Sequence, residues 1–249
     1  MSENVHIVYK NPGETPLECL KRFRQARPEY ATEKITYAGR LDPLAEGLLI
    51  LLSGEECKKK GRYLELSKLY EIEVLFSIKT DTYDLLGIVE EIGEKNLRKE
   101  EIKESLKKYG RDLVLPYPPY SSKTVRGQKL FKWARAGRLS EIDIPKRKME
   151  IEKIVFKKMT KITSRGLMRR VERMVSLVKG DFRQGEVLKS WKKMLAKTTE
   201  REFQVVALKV RCASGTYMRS LANDLGERLG TGAIALSIKR TAVLKYKKR

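Results

Sequence analysis

Residues 39–54, GRLDPLAEGLLILLSG, constrain the rest of the chain most tightly. Pro43 pushes Asp42 out of the α region toward an extended or turn backbone. The proline itself has a fixed φ and no N–H. Gly39 and Gly47 permit a sharp turn or a close backbone approach at either end. The apolar run LLILLSG at 48–54 then fits a buried strand. A carboxylate on a stiff loop tied to a core strand is how a reactive group is held in place. Taken alone, though, the stretch is better read as an ordinary Asp-Pro turn.

Charge narrows the class of partner. Over 249 residues, 54 Lys and Arg stand against 32 Asp and Glu, a formal charge of +22. A surplus of that size points to a polyanion, because each phosphate neutralised releases counterions. No run of about 18 apolar residues, signal-peptide pattern or lipidation motif is found, so nucleic acid is expected and a membrane is not. With 41% hydrophobic residues there is material for a real core. No internal repeat or flexible linker divides the chain, so one domain over residues 1–249 is expected.

Two scarce residue types exclude chemistry. His6 is the single histidine, which removes histidine triads, HExxH sites and multi-histidine metal centres. It sits in VHIVY and reads as structural. Cys19, Cys57 and Cys212 are far apart with no CxxC. They read as core residues in a reducing cytoplasm, not as a zinc site or disulfide framework. Any acid–base work must then rest on Asp, Glu, Lys, Tyr or Cys.

Along the chain, residues 5–9 read as a strand and TPLECLKRFRQAR as a helix capped by Thr15, with Leu17, Leu20 and Phe23 on one face. KLYEIEVLFSI at 68–78 alternates through Leu69, Ile72, Val74 and Phe76 as a strand. Thr80 to Asp84 form a loop, and NLRKEEIKESLKKYG is an amphipathic helix. The segment 116–130, rich in proline and tyrosine, reads as an extended arm suited to stacking on bases and contacting phosphate. FKWARAG is a short helix and KMEIEKIVFKKMTKI a strand. GLMRRVERMVSLV and VLKSWKKMLAKT read as basic helices, the first with Leu167, Val171, Met174 and Val178 on one stripe. FQVVALKVRCASG is a central strand. Gly215 opens the helix TYMRSLANDLGERLG, whose first turn holds Arg219. AIALSIKRTAV closes the fold as a strand before a basic tail. Strands mixed with helices, several in apparent hairpins, indicate an α+β fold with a mixed, mostly antiparallel central sheet flanked by helices.

Four segments together resemble one family, the TruB-type tRNA pseudouridine synthases: YAGRLDPLAEGLL, KLYEIEVLFSIKTDTYDLLG, PPYSSKTVRGQKLFKWARAG and CASGTYMRSLANDLGERLG. Their order and spacing match over most of the chain. The resemblance implies the pseudouridine-synthase fold and isomerisation of uridine to pseudouridine at position 55, in the T-loop of tRNA. It implies no cofactor and no metal. The family's catalytic aspartate falls on Asp42. Its role is to start glycosidic cleavage, by attack on the sugar, by addition to the base or by abstraction of a ribose proton. The tyrosine of the KxY motif falls on Tyr70, which stacks on uracil, with Lys68 at the start of that motif. GTYxR places Tyr217 and Arg219, the arginine pairing with the aspartate. Ile238 is the apolar wall from the last strand, Gly39 belongs to the aspartate loop, and Lys123 of the arm is a substrate contact.

The chemistry agrees with the residue types. A uracil must be held while detached, a carboxylate must reach C1′ or C2′, an arginine must aim it, and an aromatic face must grip a flipped base. Three departures from the family pattern stand out. Tyr37 replaces a histidine, and is expected to stack and to help open the T-loop. Residues from about 163 to 200 form a basic helical insertion. The chain ends after the strand and tail at 239–249, so the usual C-terminal PUA-type RNA-binding domain is expected to be missing, with insertion and tail partly replacing it. The expected partner is the T-arm of tRNA, bound by a cytoplasmic monomer without a guide RNA. The competing readings are a non-catalytic RNA-binding or tRNA-folding protein on the same scaffold, and a synthase acting on another RNA stem-loop.

Overall fold

The computed structural model describes residues 4–198 and 201–244, so the basic tail at 245–249 lies outside the described residues. In chain order the elements are β1 (Val5–Lys10), α1 (Pro16–Ala26), β2 (Ile35–Ala38), β3 (Glu46–Ser53), α2 (Lys60–Leu64), β4 (Ser67–Phe76), β5 (Ile78–Thr80), β6 (Val89–Ile92) and α3 (Lys99–Lys107). They continue with β7 (Leu113–Pro116), β8 (Thr124–Val125), β9 (Gln128–Lys129), α4 (Leu130–Arg135), β10 (Lys146–Met149) and β11 (Ile151–Thr163). The last are α5 (Ser164–Ser176), α6 (Gln184–Leu195), β12 (Glu202–Cys212), α7 (Met218–Arg228) and β13 (Ala233–Leu244). The central sheet runs β1-β3-β13-β4-β12-β11, with β2 also on β3. Its pairings are antiparallel except for β13 on β3. This is the α+β, mostly antiparallel arrangement expected.

Strand alternation assigns side chains to two layers. On β4, Tyr70, Ile72, Val74 and Phe76 face the layer covered by α3 and α7. Leu75, with Phe203 and Val205 of β12 and Ile234 and Leu236 of β13, faces the layer covered by α5 and α6. The period on β4 therefore runs through Tyr70 rather than Leu69, which is half-buried on the other face. In α1 the buried set is Cys19, Leu20 and Phe23, while Leu17 is 52% exposed. Positions three apart drift around a helix, and the pair four apart with its neighbour defines the inner face. Thr15 caps α1 through a reciprocal bond with Glu18. His6 is structural, packed on Phe23 and Tyr30 with a 3.2 Å contact to Ser53. All three cysteines are free, and burial pushes the Cys212 thiol up to about 12.

One segment differs from what its sequence predicts. Residues 116–130 are not a free arm. Tyr117 packs with Leu130, Trp133 and Ile142, Pro118 and Pro119 are buried, and 124–129 close as a hairpin. The prolines stop regular structure, but the apolar rings they separate still find a core. The basic helices α5 and α6 form as expected, and the stripe of Leu167, Val171 and Val178 is buried against the body. Trp191 is fully buried among Leu75, Ile78 and Leu86, and its Nε1 donates to the Gly87 carbonyl at 3.1 Å. Among the described residues no helix is long and apolar enough to cross a membrane.

Candidate active site

The sheet leaves a gap that the aspartate loop fills. β1 pairs along nearly all of β3, so β2 and β13 share its other edge. β2 takes Ile50–Ser53 and β13 takes Glu46–Gly47. Residues 39–45 bridge the point where one neighbour gives way to the next. Gly47 allows this, because its φ is +113° and a Cβ there would lie 2.2 Å from the Arg240 carbonyl oxygen.

Two buried cations hold the loop from below. Lys10 donates to the carbonyls of Pro43 (3.1 Å), Ala45 (2.5 Å) and Asn11 (3.0 Å). Arg240 donates to Gly39 (3.1 Å) and Leu48 (2.6 Å). Both side chains are essentially inaccessible. Buried charges need such partners to be tolerated, and here the carbonyl dipoles provide them. Burial pushes Lys10 down to about 8 even so.

On that platform Asp42 receives a bidentate arginine. Arg219 Nε and Nη2 each donate at 2.8 Å to the two carboxylate oxygens. Its remaining donors reach the Thr82 carbonyl at 2.8 Å and the Tyr120 carbonyl at 3.2 Å. Arg219 is 3% exposed, while the Asp42 side chain keeps 33% of its surface open to the cleft. The fork fixes both the plane and the direction of the carboxylate. A second carboxylate, Asp84, lies 3.6 Å from Nε and is itself bonded by Thr82 Oγ1 and the Leu86 N–H. Burial alone would lower the Arg219 value, but Asp42 and Asp84 outweigh it and raise it. Burial pushes Asp84 up, with Arg219 and Thr82 opposing.

The pair stands in a cleft of about 1110 Å³. Tyr70, Ile238, Tyr217, Gly39, Lys68 and Tyr37 all line it. Tyr70 and Ile238 are buried, and burial drives the Tyr70 phenol up, so it presents a neutral ring. Tyr217 stands edge-on to Tyr117, with centroids 5.4 Å apart. Gly215, which opens this corner, has φ +81°, a backbone conformation that favours glycine, and a Cβ there would displace the Arg147 guanidinium. Lys60 sits 5.3 Å over the Tyr37 ring. Lys123 is the exception. It is exposed, lies 5.4 Å over the Tyr117 ring, and is not among the cleft-lining residues, because the arm folds back onto the core.

Lys68 donates to the Leu64 carbonyl at 2.7 Å and also to that of Leu66. Burial, reinforced by Arg240, pushes it down to about 8. The unfolded chain holds this proton up to its ordinary value of 10.5. Between pH 8 and 10.5 the unfolded state therefore binds more protons, and stability from this group rises with pH. The unfolding free energy of the wild type minus that of Lys68→Met should grow by up to about 3 kcal/mol between pH 7 and pH 10.5 in urea titrations. A difference that stays flat contradicts the buried, charged assignment.

Sequence reasoning missed Asp84, Lys10 and Arg240. It also missed the turn between α5 and α6, which brings Asp181, Phe182 and Arg183 to the cleft rim. There Arg183 pairs with Asp81 at 2.8 Å and lies 4.3 Å over the Tyr120 ring, and Arg135 pairs with Asp181 at 3.0 Å. Arg240 carried a signal, since it is two residues from Ile238 on one strand and must share its face. Among the described residues no group of three or more His, Cys, Asp or Glu is placed to hold a metal ion.

Residues 27–182 match the model of the TruB family pseudouridylate synthases, N-terminal domain. A curated relative named tRNA pseudouridine synthase B from Thermotoga maritima is 27% identical over 243 residues, covering 98% of this chain and 63% of the relative. Its namesake from Caldicellulosiruptor saccharolyticus is 30% identical over 207 residues, covering 83% of this chain and 57% of the relative. The chain thus spans roughly three-fifths of the length of these relatives. Among solved structures, a Cbf5-Nop10-Gar1 complex matches with a TM-score of 0.59 at 16% identity, covering 98% of this chain and 50% of that one. That likeness concerns the fold.

Proposed function

The chain belongs to the TruB family of pseudouridylate synthases, and we propose that its cleft converts uridine to pseudouridine at position 55, in the T-loop of tRNA. The observation that carries this reading is the Asp42–Arg219 fork, half-open to a cleft whose inner walls are Tyr70 and Ile238. Isomerisation breaks C1′–N1, forms C1′–C5, moves a proton off C5 and returns one to N1. No electron acceptor or co-substrate is consumed, so a positioned carboxylate and a gripping aromatic face suffice. Asp42 starts glycosidic cleavage. Arg219 fixes its direction, at no reorganisation cost during reaction. Tyr70 stacks on the flipped uracil, Ile238 closes the apolar side, and Tyr217 adds a substrate contact from the cleft wall. Lys68 and Gly39 shape the wall beside Asp42. The enzyme acts on tRNA directly as a cytoplasmic monomer, without a guide RNA.

The test is to incubate the purified protein with an unmodified tRNA transcript and map pseudouridine by carbodiimide modification and primer extension. A single stop at the T-loop uridine is expected. Tight binding with no stop anywhere would make this a binding protein, and a stop in another stem-loop would change the substrate.

Tyr37, at the cleft mouth, is assigned to stacking on a base displaced from the T-loop. Base–aromatic stacking contributes about 1–3 kcal/mol. Tyr37→Ala should then lower kcat/KM for tRNA by roughly 5- to 150-fold, and Tyr37→Phe should restore most of it. Unchanged RNA binding and turnover in Tyr37→Ala would remove this role.

A further inference from the structure

The hairpin of α5 and α6 carries ten basic and three acidic residues between 164 and 198. Its inner face is core, lined by Leu167, Val171 and Val175 on α5 and by Val187, Trp191 and Leu195 on α6. The outer face is ordered in the same way. Arg165, Arg169 and Arg173 recur every four residues on α5. Lys189, Lys193 and Lys197 do so on α6 and the turn after it. Each cation stands two residues, about 200° around the helix, from one of those apolar residues, so each triplet forms a ridge pointing straight out. All six are exposed, and none has a carboxylate partner among the described residues. The flanking cations are different, since Arg170 pairs with Glu73 and Lys192 with Glu172.

Within a ridge the charges are about 6 Å apart along the axis, the scale of successive phosphates on a nucleic-acid strand. Two packed helices set such ridges about 8–10 Å apart. The result is a broad cationic plane and not a pocket for one anion. Of its aromatic residues, Trp191 is buried in the core cluster beneath it and the half-buried Phe182 sits in the turn at the cleft, off the two ridges. Single strands are held by aromatic stacking platforms, whereas duplex RNA is held by phosphate contacts and shape. The plane also runs into the cleft. Asp181, Phe182 and Arg183 lie on the cleft rim in the turn that joins the two helices. The pairs Arg135–Asp181 and Arg183–Asp81 tie that turn in place.

We propose that the outer face of α5 and α6 is a phosphate-binding surface for a double-helical segment of the same RNA whose uridine enters the cleft. The proposal rests on the RNA reading of the cleft given above. It names what the basic hairpin holds and which side chains hold it. Deleting the hairpin cannot test it, because the inner face is core and the protein would unfold.

The test uses the full chain with either ridge neutralised, Arg165→Gln/Arg169→Gln/Arg173→Gln or Lys189→Gln/Lys193→Gln/Lys197→Gln. The control is Lys103→Gln/Lys107→Gln/Lys108→Gln at α3, which removes as many charges on the opposite face of the sheet. Affinity for a full-length tRNA transcript is measured from low to moderate salt. Each ridge variant should bind at least about 10-fold more weakly, with the slope of log K against log salt reduced by about 2–3. The control should behave as wild type. An unstructured single-stranded RNA of the same length should show a much smaller loss. Ridge variants that lose no more than the control, or that lose the single-stranded RNA equally, would overturn the proposal. These are binding measurements. A protein that binds tRNA through the ridges yet forms no pseudouridine would defeat the proposed activity and leave this surface standing.

Discussion

Arg219→Met is expected to lower the unfolding free energy by about 3–5 kcal/mol, the cost of breaking a buried ion pair from one side, and to abolish turnover. The arginine is 3% exposed and satisfies four oxygens at once, two on Asp42 and one each on Thr82 and Tyr120. Methionine fills much of the volume but leaves Asp42 without its fork and Asp84, already raised by burial, without its nearest cation. The two backbone carbonyls lose their donors in the same step. Arg219→Lys keeps one charge and loses the planar fork, so it should recover part of the stability and little of the rate. Urea denaturation of the three proteins decides the matter. A methionine variant within about 1 kcal/mol of wild type would mean that the site is wet and the pair weak.

Asp42→Asn is expected to cost at least about 1000-fold in turnover, the range for removing a group that acts directly on the reacting bond. Folding should survive. Asparagine has the same shape, its carbonyl oxygen can still accept from Arg219, and Asp84 remains 3.6 Å away to balance the guanidinium. The loop stays anchored through Gly39, Pro43 and Ala45, whose carbonyls Lys10 and Arg240 hold independently of the carboxylate. Affinity for tRNA should be retained, since the loss of one negative charge facing a polyanion does not weaken it. A variant that folds and binds but does not turn over separates the carboxylate's chemistry from its structural pairing. If tRNA binding fell in parallel with rate, Asp42 would be a contact residue and not the initiating group.

The parts of this fold legible in the sequence were those fixed by local periodicity. β3, β12 and α7 announce themselves through runs and stripes that burial confirms, and Thr15 with Pro16 marks the start of α1. The juxtaposition of Asp42 with Arg219 joins positions 177 residues apart. No periodicity predicts it. It was legible because four motifs in order resembled one family. Lys10 shows the limit. A lysine at the end of an edge strand is ordinarily solvated, and only the tertiary fold decides that three carbonyls converge on its ammonium. Asp84 is equally silent, an aspartate in a polar loop that the sheet draws inward by a bridge to Ala235. Lys123 lies off the cleft for the opposite reason. Proline-rich composition predicts an extended arm, but Tyr117 and Tyr120 are already engaged, by Tyr217 and by Arg183, and the arm folds over the core.

Asp42, aimed by Arg219, is proposed to start a site-specific isomerisation. Its most direct test is tritium release from a tRNA transcript labelled at uridine C5, comparing the wild type with Asp42→Asn. Because C5 loses its proton only when the new glycosidic bond forms there, release counts completed events. One equivalent per tRNA is expected from the wild type and none from the variant at equal tRNA occupancy. Release from both proteins at similar rates, or from neither while tRNA stays bound, would contradict it.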